Sequence, residues 1–457
     1  MNNLTRKLTE LDKKYIWHPF TQMADWLKSQ PMIIDSAEGF YLIDTEGNRY
    51  IDGVSSLWCN VHGHKVKKID DAIKNQISKV SHSTLLGLGQ TRSVELAEKL
   101  VQITPPNLKK VFYSDSGATA VEIALKIAYQ YFQNIGEKQR TKFVALKNSY
   151  HGDTIGSVSV GGIKTFHSIF RPLLFETFFA PAPHPYRFDG TERDCVHYSL
   201  DKLEDLLKAR SDQIAAVIME PLVQAAAGMI VHPRGFLTSV RRLTERYGTL
   251  LITDEVATGF GKTGKMFACE HEQVGPDIMC LAKGITGGYL PLAATLTTQK
   301  IFDAFLGTTT EQKTFYHGHT YTGNALACAA ALASLKLLEQ NRIIESLPPK
   351  IELMEQYFAK TATLPFVGDT RHCGLMGAIE IVKDKAEKVS FNPRHIIGAK
   401  LCASIRAAGL MLRPLGDCLV VMPPVAIHLD LLEKMLEIIL LSIENKLPEI
   451  IANSHAD

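Results

Sequence analysis

The feature that most constrains the fold is an alternation of strand-length apolar runs with helical patterns between residues 111 and 340. The apolar runs include VFYSD, KFVALK, AAVIMEP, LLITDE and IMCLAKG, and the helical patterns include ATAVEIALKIAYQYF and FLTSVRRLTERYG. This alternation predicts an α/β fold in which helices cover a mostly parallel sheet. Ligands of open α/β sheets bind beyond the carboxyl ends of the strands, so the loops after these runs are where we expect the chemistry.

The pattern changes on either side of this core. Residues 1–65 contain FYLIDTEGNRYIDG, two short alternating runs about a Glu-Gly-Asn turn, which predicts a β-hairpin. Past residue 340 the chain shows a helix, short strands and a closing helix, LLEKMLEIILLSIENKL. We therefore predict a large domain at 66–340 and a smaller α+β domain made of 1–65 together with 341–457.

Composition limits the kinds of partner. A net charge of +2 and a pI near 8.0 give no basic field for nucleic acid. The eight cysteines form no C-x-x-C pair, and neither an apolar leader nor a run of about 18 apolar residues is present. We expect a cytoplasmic protein that binds small molecules, with no nucleic acid and no membrane as partner.

The stretch GFGKTGKM comes within one residue of the P-loop pattern, in which glycine amides and a lysine hold nucleotide phosphates. Two features speak against a P-loop. Asp254 and Glu255 occupy the end of the preceding strand, and Met266 stands where a hydroxyl should hold Mg²⁺. A glycine turn needed for its backbone shape is the favoured interpretation, and a nucleotide-binding module is the alternative.

Asp254 and Glu255 end the apolar run LLIT, where carboxylates need a cationic partner. A structural ion pair would satisfy this need. Lys283 ends another apolar run, so its amine and the carboxylates would meet at one edge of the sheet. This arrangement suits pyridoxal phosphate, whose aldehyde forms a Schiff base with lysine and whose ring nitrogen pairs with aspartate. Lys262 and Lys265 are rival amines, but they follow Asp254 too closely to reach the opposite side of the ring.

Such a cofactor also needs an anchor for its phosphate. The capping residues 114–116 precede a strong helical run, so the amides of Gly117 and Ala118 would lie at a helix N-terminus that favours an anion. The simpler interpretation is a helix start with no ligand. Tyr150, in a loop after a strand, could stack on the ring or only pack locally.

Two His-Gly-His triplets raise the question of a metal. They contain His62, His64, His317 and His319, and neither triplet has a cysteine or carboxylate at ligand spacing. We therefore predict no metal site. Gly318 is better explained by a close approach of the backbone to a ligand.

The run LLITDEVATGFGKTGKMFACEHEQVGPDIMCLAKGITGGYLPLAA resembles the signature of the class III (ornithine/GABA-type) aminotransferases. The resemblance covers nearly the whole chain and implies a fold type I pyridoxal phosphate enzyme. WHPFTQM, DGVSSLWCNVHGH, SYHGDTIGSVSVGG, FYHGHTYTGN and LRPLGDCLVVMPP resemble most the branch of that class that serves biotin synthesis. That branch converts 8-amino-7-oxononanoate to 7,8-diaminononanoate, with S-adenosylmethionine or lysine as amino donor.

The resemblance implies a homodimer with shared active sites, in which Lys283 carries the Schiff base and moves the substrate proton. Asp254 would pair with the ring nitrogen, and Arg413 would receive the substrate carboxylate. The expected cofactor contacts are Gly117, Ala118, Tyr150, Asp254, Val256 and Lys283, with His319 and Thr320 reaching the site of the other subunit. The expected substrate contacts are Phe20, Leu57, Trp58, Tyr150, Asp153, Lys283, Gly318 and Arg413.

Two positions depart from the commoner pattern of that branch. Phe20 stands where a tyrosine is usual, so it can stack on an adenine but lacks the hydroxyl. Leu57 replaces the first of two tryptophans and precedes Trp58. Both changes leave the donor open between S-adenosylmethionine and lysine. A class III enzyme acting on an ω-amino acid such as ornithine or GABA is a further alternative.

Overall fold

The structure is a computed structural model that describes residues 1–454. Its helices are α1 Asn3–Tyr15, α2 Met23–Lys28, α3 Ser55–Trp58, α4 Lys67–Ile77, α5 Thr91–Ile103, α6 Gly117–Asn134, α7 Ile155–Ser159, α8 Lys164–His167, α9 Glu192–Arg210, α10 Phe236–Arg246, α11 Gln299–Asp303, α12 Ala325–Gln340, α13 Pro348–Ala362, α14 Ile397–Ala407 and α15 Leu429–Ser454. Within this range no helix is both long and apolar enough to cross a membrane.

The strands lie in four sheets. They are β1 Ile34–Glu38, β2 Tyr41–Asp44, β3 Arg49–Asp52, β4 Leu108–Ser114, β5 Lys142–Leu146, β6 Thr177–Ala180, β7 Ile214–Met219, β8 Val223–Gln224, β9 Ile230–Val231, β10 Leu250–Asp254, β11 Ile278–Leu281, β12 Ala293–Thr298, β13 Val367–Cys373, β14 Met376–Ile381, β15 Leu410–Met411, β16 Arg413–Leu415 and β17 Cys418–Val421.

The largest sheet has seven strands in the order β4-β12-β11-β10-β7-β5-β6. The five strands β11, β10, β7, β5 and β6 run parallel, and β12 is antiparallel to both of its neighbours. The predicted α/β class with a mostly parallel sheet is confirmed. Strand β12 was not predicted, because its sequence AATLTT consists mainly of small and hydroxyl side chains.

Two four-stranded sheets are built from the rest of the chain. The predicted hairpin is present as β2 and β3, which pair antiparallel. The C-terminal strand β15 adds to β3 in parallel, so the two ends of the chain share a sheet. The other sheet has the order β13-β14-β17-β16 and is antiparallel throughout. The domain boundaries at residues 65 and 340 stay a prediction.

Helix α6 begins as its sequence predicts. The Ser116 side chain accepts from the Thr119 N–H, and the Ser116 N–H donates to Thr119 Oγ1, which forms a capping box. The apolar face of the helix, from Ala120 to Phe132, is buried against the large sheet. The helix start is therefore fixed beside the carboxyl ends of the central strands.

Candidate active site

A cavity of about 420 Å³ lies beyond the carboxyl ends of β7, β10 and β11. This volume is within the range of ordinary small-molecule sites. Eight of the residues predicted to contact cofactor or substrate line it: Trp58, Gly117, Ala118, Tyr150, Asp153, Asp254, Val256 and Lys283. The structure thus brings together residues that are up to 225 positions apart in the sequence.

Asp254 is held rigidly at one wall of the cavity. Its side chain is buried, and Oδ1 accepts the N–H of Val256 at 3.0 Å. Oδ2 lies 2.7 Å from Nδ1 of His151, which is also buried. Within residues 1–454, Nε2 of that histidine has no hydrogen-bond partner. The carboxylate is therefore oriented by two neighbours before any ligand binds.

Lys283 lies at the end of β11, where it begins a short 3₁₀ turn with φ = +38°. Its Nζ is 5.6 Å from the centroid of the Trp58 ring. Burial lowers the pKa of Lys283, and the nearby carboxylates of Asp254 and Glu220 partly oppose that shift. A lysine with a lowered pKa has a larger neutral fraction, which is the form that acts as nucleophile and base.

Glu220 was not predicted as a site residue, although the loop after AAVIMEP was. Its buried carboxylate accepts the N–H groups of Tyr150 at 3.0 Å and Ala225 at 2.9 Å. Burial raises the pKa of Glu220 to about 7. The sequence could have identified Glu220, because a carboxylate at the end of a buried apolar run needs a partner in the same way as Asp254 does.

The N-terminus of α6 reaches the cavity through Gly117 and Ala118. A Cβ on Gly117 would lie 2.6 Å from Cγ1 of Val256, so only glycine fits the gap between this helix and the loop after β10. The first amides of a helix lack intrahelical acceptors, and the helix dipole adds partial positive charge there. This end of the cavity suits an anion.

Tyr150 also lines the cavity. Its hydroxyl donates to Asp153 Oδ2 at 2.6 Å, and its ring lies nearly parallel to that of His167, with centroids 6.3 Å apart. Burial, followed by the hydrogen bond to Asp153, raises the pKa of Tyr150. The hydroxyl therefore stays protonated and can donate only to Asp153 or to a ligand that displaces it.

A second cavity of about 150 Å³ adjoins the first and shares Trp58, Tyr150 and Lys283 with it. Its remaining walls include Phe20, Leu57 and Arg413, all predicted substrate contacts. The Phe20 ring packs edge-on against Phe166, with centroids 5.2 Å apart. The structure thus brings every predicted substrate residue except Gly318 to one of two cavities that share wall residues.

Gly318, His319 and Thr320 do not line either cavity of their own chain. His319 Nε2 lies 4.0 Å from Asp115 Oδ1, just before the start of α6, and Thr320 is exposed. Their predicted contact with the site of a second subunit stays a prediction.

The glycine turn after Asp254 carries two lysines, and the one at the P-loop position, Lys265, is exposed and donates to the Glu270 carbonyl at 3.1 Å. Lys262 is buried, and its Nζ donates to Ser55 Oγ at 3.0 Å and to the carbonyl oxygens of Asn60 and Pro423 at 3.2 and 3.4 Å. The Lys262 ammonium group is thus hydrogen-bonded to oxygen atoms of the protein interior. The turn carries the chain away from the strand end, as the favoured interpretation predicts.

The His-Gly-His triplets are held by other groups of the chain. His62 Nε2 lies 3.0 Å from Ser334 Oγ, His64 Nε2 lies 3.1 Å from Asp52 Oδ2, and His317 Nδ1 lies 3.0 Å from Lys126 Nζ. Across residues 1–454 no group of three or more His, Cys, Asp or Glu side chains is arranged to hold a metal ion.

Comparison with known proteins agrees with this geometry. Residues 23–443 match the family described as Aminotransferase class-III. The chain belongs to this family. Its fold and its class of activity, amino-group transfer with pyridoxal phosphate as cofactor, follow from that membership.

Several relatives match over nearly the full chain. An adenosylmethionine-8-amino-7-oxononanoate aminotransferase of Nitratidesulfovibrio vulgaris is 55% identical over 427 residues, which cover 93% of this chain and 79% of that protein. The protein of the same name from Staphylococcus aureus is 47% identical, covering 97% of this chain and 98% of its own length.

Solved structures give the same result. The crystal structure of the protein of that name from Methanocaldococcus jannaschii superimposes with a TM-score of 0.92 at 46% identity, covering 96% of this chain and 98% of that one. An amine transaminase from an uncultivated Pseudomonas species, in its PLP-bound form, has a TM-score of 0.89 at 34% identity and covers 94% and 98%.

The residues of this chain fit pyridoxal phosphate. The start of α6 at Gly117 and Ala118 offers amides for an anion, Asp254 offers a fixed carboxylate for a protonated ring nitrogen, and Lys283 offers an amine with a lowered pKa. All four residues line one cavity. The donor set therefore matches the phosphate, the ring and the aldehyde of the cofactor.

Proposed function

We propose that this protein transfers an amino group to 8-amino-7-oxononanoate and releases 7,8-diaminononanoate, a step of biotin synthesis. The observation that carries the proposal is that the cavity with Lys283 and Asp254 shares wall residues, among them Lys283 itself, with a second cavity that Arg413 lines. An amine-transfer centre thus adjoins a guanidinium that can receive the carboxylate at the far end of the substrate. The relatives named for this reaction support the assignment.

The proposed cofactor contacts follow from the fit of the cavity. Gly117 and Ala118 would hold the phosphate, Lys283 would bind the aldehyde, and Asp254 would pair with the ring nitrogen. Val256 would contact the ring. Bound pyridoxal phosphate supplies an electron-withdrawing ring that stabilises negative charge on the substrate carbon.

Lys283 moves the proton. With pyridoxal phosphate in the cavity, Nζ of Lys283 would take the proton from the amine-bearing carbon of the donor. Its lowered pKa favours the neutral amine needed for this step. In the second half of the reaction the same Nζ returns a proton to C7 of the acceptor. Val256 N–H and His151 hold the Asp254 carboxylate in place, where it would pair with a protonated ring nitrogen in both halves.

The substrate lies along the second cavity. Leu57 and Trp58 line this cavity and contact the hydrocarbon chain, and Phe20 lies across its outer end. Arg413 forms a bidentate pair with the carboxylate. Asp153, which already accepts from Tyr150, attracts the positively charged amine of the substrate.

The complete site requires a second copy of the chain. We propose a cytoplasmic homodimer in which Gly318, His319 and Thr320 approach the phosphate and substrate of the partner. Exposed apolar side chains lie near this segment, including Leu86 at 66% and Tyr316 at 81% exposure. Such side chains are typical of a surface that a partner covers.

We propose S-adenosylmethionine as the amino donor. Phe20 offers an aromatic face at the outer end of the cavity, where an adenine can stack. Lysine is the second candidate, because Phe20 lacks the tyrosine hydroxyl and Leu57 leaves more room than a tryptophan. Lysine is small and flexible, so it needs neither feature.

The test uses purified protein loaded with pyridoxal phosphate. It is mixed separately with S-adenosylmethionine and with lysine, and the absorbance change that accompanies conversion to pyridoxamine phosphate is recorded. Turnover of 8-amino-7-oxononanoate to 7,8-diaminononanoate is then measured by mass spectrometry. Turnover of ornithine or GABA but not of 8-amino-7-oxononanoate would refute the proposed substrate.

Two lysine variants serve as a matched pair. Lys283→Ala is expected to lose the visible absorbance band of the lysine-bound cofactor and all measurable turnover. Lys265→Ala removes an exposed amine that donates only to the Glu270 carbonyl at 3.1 Å, so it is expected to retain both. An unchanged absorbance band in Lys283→Ala would refute the role of this lysine.

A further inference from the structure

The segment Ser55–Trp58 adopts a left-handed backbone conformation, which L-amino acids other than glycine rarely adopt. Its four residues have φ values of +42°, +41°, +62° and +74°, and none of them is glycine. Left-handed helical backbone is disfavoured for each such residue, and consecutive examples persist only when the surrounding structure holds them. Both cavities use this turn, because Trp58 lines the two of them and Leu57 lines the second.

Asp52 holds the turn from one side. It is fully buried, and its Oδ1 accepts the Ser56 N–H while its Oδ2 accepts the Ser56 hydroxyl, both at 2.8 Å. His64 Nε2 lies 3.1 Å from the same Oδ2. Hydrogen bonds to an ionised acceptor are stronger than those between neutral groups. The carboxylate thus stabilises the second residue of the turn through both backbone and side chain.

Lys262 holds the turn from the other side. Its Nζ donates to Ser55 Oγ at 3.0 Å and to the Asn60 carbonyl at 3.2 Å. The Ser55 hydroxyl in turn donates to the carbonyl of Met422 at 2.9 Å. The first residue of the turn is thereby fixed as well. At the second residue, Asp52 accepts from both the N–H and the hydroxyl of Ser56, and Cys59 Sγ donates to the Ser56 carbonyl at 3.3 Å.

We propose that Asp52 is a positioning residue for the substrate wall: it keeps Ser55–Trp58 left-handed and so places Leu57 and Trp58 in the cavity. The proposal rests on the proposed function, since it takes the second cavity to be the substrate site. Asp52 does not line either cavity. It acts on the affinity for substrate only through the turn.

The first test compares Asp52→Asn with Asp44→Asn. Asp44 is a matched control, because it is also nearly buried and ties a neighbouring turn by accepting from Glu46 N, Asn48 N and the Tyr50 hydroxyl. We expect Asp52→Asn to raise the KM for 8-amino-7-oxononanoate about tenfold or more, which corresponds to the loss of one charged hydrogen bond. The kcat should change less than about threefold, and Asp44→Asn should change neither constant.

The second test asks whether the left-handed backbone at Ser56 is the cause of the change in KM. Adding Ser56→Gly to Asp52→Asn removes the steric penalty of positive φ at this position and should restore part of the KM. If Asp52→Asn does not fold, Ser56→Ala removes only the hydroxyl hydrogen bond and should raise the KM in the same direction. An equal KM in all variants, or a kcat loss with unchanged KM, would overturn the proposal.

A third test needs no substrate. With Trp17→Phe and Trp26→Phe, Trp58 is the only tryptophan left, and its side chain is 8% exposed. Acrylamide should quench its fluorescence more strongly after Asp52→Asn than after Asp44→Asn. Equal quenching would refute the positioning role even if the enzyme turns over. A wild-type enzyme with no turnover would refute the proposed function while this quenching difference persists.

Discussion

Gly117→Ala tests the proposed phosphate site with one methyl group. Gly117 is the first residue of α6, and an added Cβ would lie 2.6 Å from Cγ1 and 3.2 Å from Cγ2 of Val256. Carbon atoms pack at about 3.5–4.0 Å, so the helix start and the loop after β10 must separate by about 1 Å. Neither side moves alone, because Val256 N–H is bonded to Asp254 and Ser116 caps the helix.

A displacement of this size is large for a binding site. Binding groups must lie within about 0.5 Å of their productive positions, and a hydrogen bond to a charged group contributes about 1.5–3 kcal/mol. Weakening one amide contact to the phosphate should therefore raise the Kd for pyridoxal phosphate about tenfold to hundredfold. Lys283 is not among the groups that the added Cβ would meet, so the absorbance band of the lysine-bound cofactor should remain once the cofactor is saturating.

The assay is a titration of the cofactor-free protein with pyridoxal phosphate, followed by absorbance. Gly89→Ala is the control, since a Cβ at that position meets nothing within 4 Å. Adding Val256→Ala to Gly117→Ala removes the two clashing methyl groups and should recover part of the affinity. A Gly117→Ala variant that binds like wild type, or one that Val256→Ala does not improve, would refute the phosphate assignment.

Three further substitutions test other parts of the site. Arg413→Lys keeps the charge but loses the planar fork, so the KM for 8-amino-7-oxononanoate should rise about tenfold in steady-state kinetics while the cofactor spectrum stays unchanged. His151→Leu removes the group 2.7 Å from Asp254 Oδ2, and cofactor titration should show about tenfold weaker binding; unaltered affinity would contradict a supporting role. Burial raises the pKa of Glu255 to about 7 from 4.5, so its contribution to stability is full below pH 4.5 and is lost as the pH rises to 7. Glu255→Gln should therefore reduce the loss of unfolding free energy between pH 4.5 and 7 by up to about 3 kcal/mol. The measurement is the melting temperature at both pH values, which should fall less in the variant than in the wild type. An equally steep fall would contradict this role of Glu255.

The large sheet could be predicted from the sequence because its strands are short apolar runs, and several of them are followed directly by a charged side chain. LLIT followed by Asp254 and IMCLA followed by Lys283 each indicate a buried strand and a polar strand end. Since parallel strands deliver their carboxyl ends to one edge, the meeting of these two residues followed from the pattern alone. Local capping residues likewise located the start of α6.

Other features of the site depend on contacts between distant residues. The left-handed turn at Ser55–Trp58 has no local signal, because its serines and aromatic residue are ordinary in a right-handed helix or a loop. Its shape comes from Asp52 and from Lys262, which lies about two hundred positions further along the chain and donates to Ser55. The burial of Lys262 could not be predicted from the sequence either, since a lysine in a glycine turn usually faces solvent.

The strand order explains why the carboxylates of Glu220 and Asp254 lie in the same cavity as Lys283. β7, β10 and β11 are neighbours, so Glu220, Asp254 and Lys283 follow one another along the sheet edge at strand spacings of about 4.8 Å. Two buried carboxylates so close together oppose each other's ionisation, and environments that differ separate their roles. Burial raises the pKa of Glu220 to about 7, and the neighbouring Asp254 adds to that shift, whereas His151 and the N–H groups of Tyr150 and Ala225 oppose it.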